Sequence, residues 1–177
     1  PNDGGDMGRS IGPYFIDDGS STSSSLFFQS INRNKRSLTL DLGQPEGQAI
    51  LHELIKSADA ITCNLRGDVP AKLGLTYETL GAINPRIVCA FLSAYGREGP
   101  RQKWPGYDYL MQAEAGYFGV TGEPDGNPTR MGLSIVDLMT GLCMAYAAVS
   151  AILSARATGK GRDIDVNLFD LALSNVS

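Results

Sequence analysis

A single histidine, His52, stands in 177 residues. That scarcity excludes a zinc centre or a Ser-His-Asp triad built on several histidines. Cysteine is nearly as scarce. Cys63, Cys89 and Cys143 are odd in number and form no C-x-x-C pair. They read as small buried hydrophobes in a reducing cytosol rather than as a disulfide framework or a metal site. Positive charge is also short: the net charge is -4 and the pI is about 4.9, which argues against a general polyanion-binding role. Neither G-x-G-x-x-G nor G-x-x-x-x-G-K-[ST] occurs, so a dinucleotide fold signature and a P-loop are both missing. The longest apolar run, Leu138 to Leu153, is shorter than a membrane span and carries Thr140 and Ser150. No signal-peptide pattern is present, and the expected compartment is the cytoplasm.

What is present suits one globular domain with a real core: 42% of residues are hydrophobic and 19% charged. Residues 1–25 are rich in Gly, Ser, Asp and Asn and read as an irregular segment. Ser37 to Asp41 alternates towards a strand, with Leu38 and Leu40 on one side. Pro45 opens a helix whose apolar stripe is Ile50, Leu51, Leu54, Ile55 and Ala58. His52 falls off that stripe and reads as a solvated surface residue. "DAITC" is a short strand, completing a βαβ unit. "LTYETLGAIN" is a short helix stopped by Pro85, and "RIVCAFLSAYG" is a strand covered on both faces. A long loop leads to the helical stretch "YDYLMQAEAGYFGVTG". The run from Met131 to Leu153 gives a long buried helix, stopped at "TGKGR" with Gly159 in the left-handed position. "DIDVNLFD" is a strand running into a helix. This alternation implies an α/β fold: an open, mostly parallel Rossmann-like sheet with flanking helices. Ligands of such sheets bind beyond the carboxyl ends of the strands, here "CNLRGDV" and "SAYGREGP".

Local readings of the polar motifs stay modest. Arg33, Lys35 and Arg36 form either a solvated loop or a site for a phosphorylated ligand. Asn64, Arg66 and Lys72 lie in a loop at a strand's end. Tyr107 and Asp108 stand at a helix start, where Asp108 suits the helix dipole. Asp163, Asp165 and Asp170 are explained by strand and helix-entry positions, and no metal site is expected. Ser134 and Asp137 have the S-x-x-D spacing of a capping box before an apolar run.

Taken together, "NRNKRSLTLDL", "NLRGDVPAKLGL", "INPRIVCAFLSAYGREGP", "PGYDYLMQAEAG", "TGEPDGNPTRMGLSIVDLMTG" and "ATGKGRDIDVNLFDLAL" resemble successive blocks of the class III CoA-transferases, the CaiB/BaiF family. The blocks keep the family's order. The resemblance implies that residues 1–177 are part of a large CoA-binding domain. The family's N-terminal block, its second, smaller domain and its C-terminal return would lie outside this chain, whose loop-like start and helical close also suggest a piece of a larger protein.

By the same resemblance the catalytic aspartate falls on Asp137. Tyr107 lies thirty residues upstream, at a position that is histidine in the family's racemases, and Tyr107 and Asp108 would flank the reacting acyl group. Asn64, Leu65, Arg66 and Lys72 would lie along coenzyme A, with Leu40 near its adenine end. Two lysines found near CoA in some members correspond to Gly43 and Pro105, with Lys103 and Arg101 close by in sequence. The implied chemistry is CoA transfer between carboxylic acids through an aspartyl-acyl anhydride and an aspartyl-CoA thioester, with backbone N–H groups near the nucleophile stabilising the oxyanion. Acyl-CoA enters as a substrate and no cofactor is permanently bound. The implied partners are a carboxylic acid acceptor and a second copy in an interlocked homodimer, with no nucleic acid and no membrane. Two alternatives accompany this reading. One is an α-methylacyl-CoA racemase with Asp137 as base, disfavoured because a tyrosine near its normal pKa is a poor partner at neutral pH. The other is a non-catalytic CoA-binding fragment or pseudoenzyme.

Overall fold

The computed structural model describes residues 5–16 and 24–177. Much of the irregular reading of residues 1–25 therefore concerns residues outside the described ones. The chain divides into two units, Pro1–Asp41 and Leu42–Ser177.

In the first unit a short 3-10 turn, Met7–Ser10, is capped by the Asp6 carboxylate, which accepts from Gly8 N at 2.6 Å. Strands β1 (Phe15–Ile16) and β2 (Ser24–Ser25) pair antiparallel. The buried Ser25 hydroxyl donates to Gly8 O and accepts from Phe28 N, so it caps α1 (Leu26–Ile31). Ser30, Ile31, Arg33 and Asn34 line an open cleft after this helix. Ser37 to Asp41 does not form the expected strand. Two alternating leucines are a thin apolar edge: Leu38 is 61% exposed, and the segment has no ladder partner among the described residues. A strand needs that ladder to satisfy its backbone.

The second unit opens with α2 (Pro45–Ile55), with Pro45 in the first turn. Its buried face is rotated from the expected stripe. Leu51 and Ile55 are buried, whereas Ile50 and Leu54 are about half exposed. The Gln48 amide explains the rotation, donating to Leu42 O at 2.7 Å and Leu73 O at 3.0 Å and so drawing its own side of the helix inward. His52 lies on that side. It is half-buried rather than solvated, and its Nε2 has no hydrogen-bond partner among the described residues.

Strand β3 (Ala60–Cys63) pairs parallel with β4 (Val88–Ser93), and β4 pairs parallel with β5 (Arg162–Asn167). The sheet order is β3-β4-β5, so the apolar run Val88–Leu92 lies in the centre, as its composition requires. Between β3 and β4 come α3 (Val69–Lys72) and α4 (Tyr77–Leu80). Between β4 and β5 come α5 (Asp108–Glu114), α6 (Tyr117–Val120) and α7 (Ile135–Thr158), and α8 (Leu168–Val176) follows. Gly116, at φ 88°, breaks the helical stretch into α5 and α6.

Alternation along β4 divides the core. Ile87, Cys89 and Phe91 pack with Leu51, Ile55, Leu75 and Leu80 on one face. Val88 and Ala90 face α7 on the other, against Ala151 and Ala155, then Met144 and Ala148. Rising along β4 means descending α7, so the helix runs antiparallel to the sheet. Small residues at 148, 151 and 155 let it approach closely. The helix is about 36 Å long at the standard rise, against about 20 Å for a six-residue strand. Its N-terminus therefore overhangs the carboxyl ends of the strands. It ends as expected at Gly159, φ 75°, whose N–H bonds Ala155 O. Its 24 residues exceed the apolar run read from sequence, and by length and composition alone it is long enough to cross a membrane; its sheet-facing side is buried in the core.

Burial disfavours the thiolate form at two cysteines. It pushes Cys89 up to about 12 and raises Cys63 as well. The three cysteines are free, with Cys89 buried and Cys63 and Cys143 half-buried.

Candidate active site

Asp137 occupies the first turn of α7, beyond the carboxyl ends of the strands. It is not half of a capping box. Ser134 is the N-cap residue, but its side chain makes no capping bond. The cap comes from another helix. Asp108, the first residue of α5, is 5% exposed, and its Oδ2 accepts from Val136 N at 2.8 Å and Asp137 N at 3.1 Å. Two orphan amides at a helix start meet one buried carboxylate, in the charge-assisted geometry that such termini favour. Ser134→Ala should therefore change stability by less than about 0.5 kcal/mol, where loss of a working serine cap costs about 1 kcal/mol. Chemical denaturation checks this.

This arrangement narrows the expectation that backbone N–H groups near the nucleophile hold the oxyanion. The Val136 and Asp137 amides are taken by Asp108, and Leu138 N bonds Ser134 O at 3.0 Å. None of these three is free to hold an oxyanion. The same contact places Asp108 beneath the α7 terminus as a support for Asp137.

Asp137 itself is exposed, yet its carboxyl is crowded. Desolvation, and then the neighbouring Asp108 charge, raises its pKa above the ordinary carboxylate value. Both effects disfavour the ionised form, which makes the carboxylate more basic and more nucleophilic. Tyr107, the N-cap residue of α5, is 61% exposed, and its ring stacks on Tyr109 at 5.8 Å with the planes 1° apart. Gly106 before it is required by space: a Cβ there would lie 2.5 Å from the Ala94 Cβ.

A second cluster forms after β3. Asn64 and Arg66 are exposed and Leu65 is half-buried against the core. Lys72 closes the short helix α3 rather than lying in the loop. The buried Asp68, which sequence reasoning misses, gathers the two cations: Arg66 Nε reaches its Oδ1 and Lys72 Nζ its Oδ2, both at 2.5 Å. These partners hold Asp68 well below the usual carboxylate range. The spacing of Arg66, Asp68 and Lys72, two and four residues apart around a short helix, was the available signal. Gly67 lets this loop touch the one after β4, since a Cβ there would overlap the Gly96 carbonyl oxygen. Leu40 is half-buried in the first unit.

The acidic residues of β5 have structural partners. Asp163 accepts from Tyr77 N at 2.7 Å and from the Arg97 guanidinium at 3.0 Å, and Asp165 accepts from Arg97 N at 2.8 Å. Asp170 bonds Asn167 at the entry to α8.

The sequence profile of CoA-transferase family III matches residues 1–177. Succinate--glutarate CoA-transferase of Agrobacterium fabrum is 37% identical over 171 residues, which is 96% of this chain and 42% of that protein. Acetyl-CoA:oxalate CoA-transferase of Acetobacter aceti is 41% identical over 171 residues, with the same coverage. The crystal structure of a CAIB/BAIF family protein from Brucella suis superposes with a TM-score of 0.86 at 37% identity, covering 96% of this chain and 45% of that one. The chain thus spans less than half the length of these relatives. It belongs to CoA-transferase family III.

Proposed function

We propose that the protein transfers coenzyme A from an acyl-CoA donor to a carboxylic acid acceptor, with Asp137 as the covalent nucleophile. The observation that carries this is an exposed, partly desolvated carboxylate at the start of α7, whose backbone is fastened by a buried carboxylate beneath it. A positioned and partly desolvated carboxylate is adequate against a thioester.

In the first step an Asp137 oxygen attacks the donor thioester carbonyl. The C–S bond breaks, CoA leaves as thiolate, and an aspartyl-acyl anhydride remains. The thiolate then attacks the Asp137 carbonyl of the anhydride. This gives an aspartyl-CoA thioester and releases the donor acid as its carboxylate. The acceptor carboxylate attacks that thioester to form a second anhydride, and the returning thiolate attacks the acceptor carbonyl. The products are a new acyl-CoA and free Asp137. One thioester is consumed and one is formed, so the sequence needs no ATP.

Tyr107 and Asp108 adjoin the reacting acyl group in this reading, Tyr107 from the exposed side and Asp108 from below. Asn64, Leu65, Arg66 and Lys72 line the CoA chain in the same reading. The two named relatives act on succinate and glutarate, and on acetyl-CoA and oxalate. Short carboxylic and dicarboxylic acids are accordingly the substrate class proposed here, and a second copy of the protein is the proposed partner. The test mixes the full-length protein with succinyl-CoA or acetyl-CoA and a panel of short dicarboxylates. Formation of the acceptor's CoA thioester at the expense of the donor supports the reading. Solvent deuterium entering the α-carbon of a 2-methylacyl-CoA, without exchange between acids, would replace it by isomerisation.

A further inference from the structure

We infer that Gln112 is a positioning residue for Asp137, acting through Asp108; the inference rests on the nucleophile reading above. Gln112 is wholly buried on α5, one helical turn after Asp108. Its amide uses both donors and accepts at its oxygen. Nε2 donates to Asp108 Oδ1 at 2.5 Å and to Leu133 O at 3.2 Å, while Oε1 accepts from Met131 N at 3.0 Å. An amide uses all these sites only where its orientation is fixed, because a flipped group would set donor against donor at Met131 N. One side chain therefore ties down two things. It holds the segment 131–133 that delivers the chain into α7. It also holds one oxygen of Asp108, so that the other stays aimed at the Val136 and Asp137 amides.

Packing alone does not call for this residue. Its helix carries Met111 and Ala115 into the apolar cluster with Tyr117, Val136, Leu168 and Ala172, where a desolvated amide is costly unless it is bonded. An apolar side chain would release Met131 N and Leu133 O, and it would lack the donor that keeps the Asp108 carboxylate oriented. The network runs Met131–Gln112–Asp108–Asp137 and sets the angle at which the nucleophile meets the thioester. Errors of an ångström there weigh on the chemical step more than on binding.

The experiment compares Gln112→Met with Gln112→Glu in the full-length protein. Gln112→Met keeps the volume and removes the hydrogen bonds. Gln112→Glu keeps an acceptor for Met131 N but replaces the donor to Asp108 by a carboxylate oxygen. In both, kcat for CoA transfer should fall about tenfold or more, with KM for acyl-CoA within about twofold of wild type. Rates are normalised to folded protein by circular dichroism, and Gln112→Glu carries the test if Gln112→Met does not fold. A wild-type kcat in either folded variant, or a loss carried by KM with kcat unchanged, overturns the positioning role. Asp137→Asn is run alongside. If it retains transfer, the nucleophile reading itself fails; if it is inactive, the Gln112 result stands on its own.

Discussion

If Asp137 is the covalent nucleophile proposed above, Asp137→Asn should lower CoA transfer by about 10^3-fold or more, because an amide of the same shape replaces it. The fold should survive. Asp137 is exposed, its side chain has no hydrogen-bond partner among the described residues, and the cap on α7 uses its backbone amide rather than its carboxylate. The substitution should even stabilise the protein at neutral pH. Desolvation and the Asp108 charge raise the folded-state pKa of Asp137 above its unfolded value. Between those two pKa values the folded state binds more protons than the unfolded state, so wild-type stability rises as pH falls through that window. Asparagine imitates the neutral form. The thermal midpoint of Asp137→Asn should exceed that of wild type at pH 7, and the gap should close below the ordinary carboxylate pKa. Thermal melts of both proteins across that range check the sign. A lower midpoint at pH 7 would mean that the carboxylate is stabilised by the helix N-terminus more than it is penalised by its surroundings.

Asp108→Ala carries the second large effect, on stability and activity together. The substitution frees two amides at the start of α7 and leaves the buried Gln112 donor without its shortest partner. Loss of a helix cap costs about 1 kcal/mol, and a buried donor left unpaired about 1–3 kcal/mol, so a loss of about 2–4 kcal/mol is expected in urea. Transfer should fall as well, since the backbone that carries Asp137 is no longer fastened. Asp108→Asn should be milder, because its amide oxygen can still accept from α7. A loss below about 0.5 kcal/mol in Asp108→Ala would show that α7 finds another cap.

The elements that sequence made legible were those with one dominant signal. The buried run from Val88 to Leu92 became the central strand, and Gly159 ended α7 where a left-handed residue was required. What failed was decided by contacts remote in sequence. Ser37 to Asp41 alternates correctly but finds no ladder partner among the described residues. The inward face of α2 was set by Gln48 reaching Leu42 O and Leu73 O, the second a bond across 25 residues that no helical periodicity contains. The site divides in the same way. Asp137 is proposed as the nucleophile because its block resembles a family, while its local pattern with Ser134 suggested a capping box that does not form. The true cap crosses 28 residues from Asp108, and Gln112 acts through it. A buried amide one turn from a buried carboxylate leaves no mark in periodicity or composition, so only the fold reveals the pair.

The central claim is that Asp137 bonds covalently to the acyl group and then to CoA. The most direct measurement incubates the full-length protein with its acyl-CoA donor, quenches with hydroxylamine, and maps the adduct by peptide mass spectrometry. The predicted result is a hydroxamate on Asp137 that depends on the donor and is absent from Asp137→Asn. Turnover between acids with no hydroxamate on Asp137, or with the adduct on another carboxylate, would contradict it.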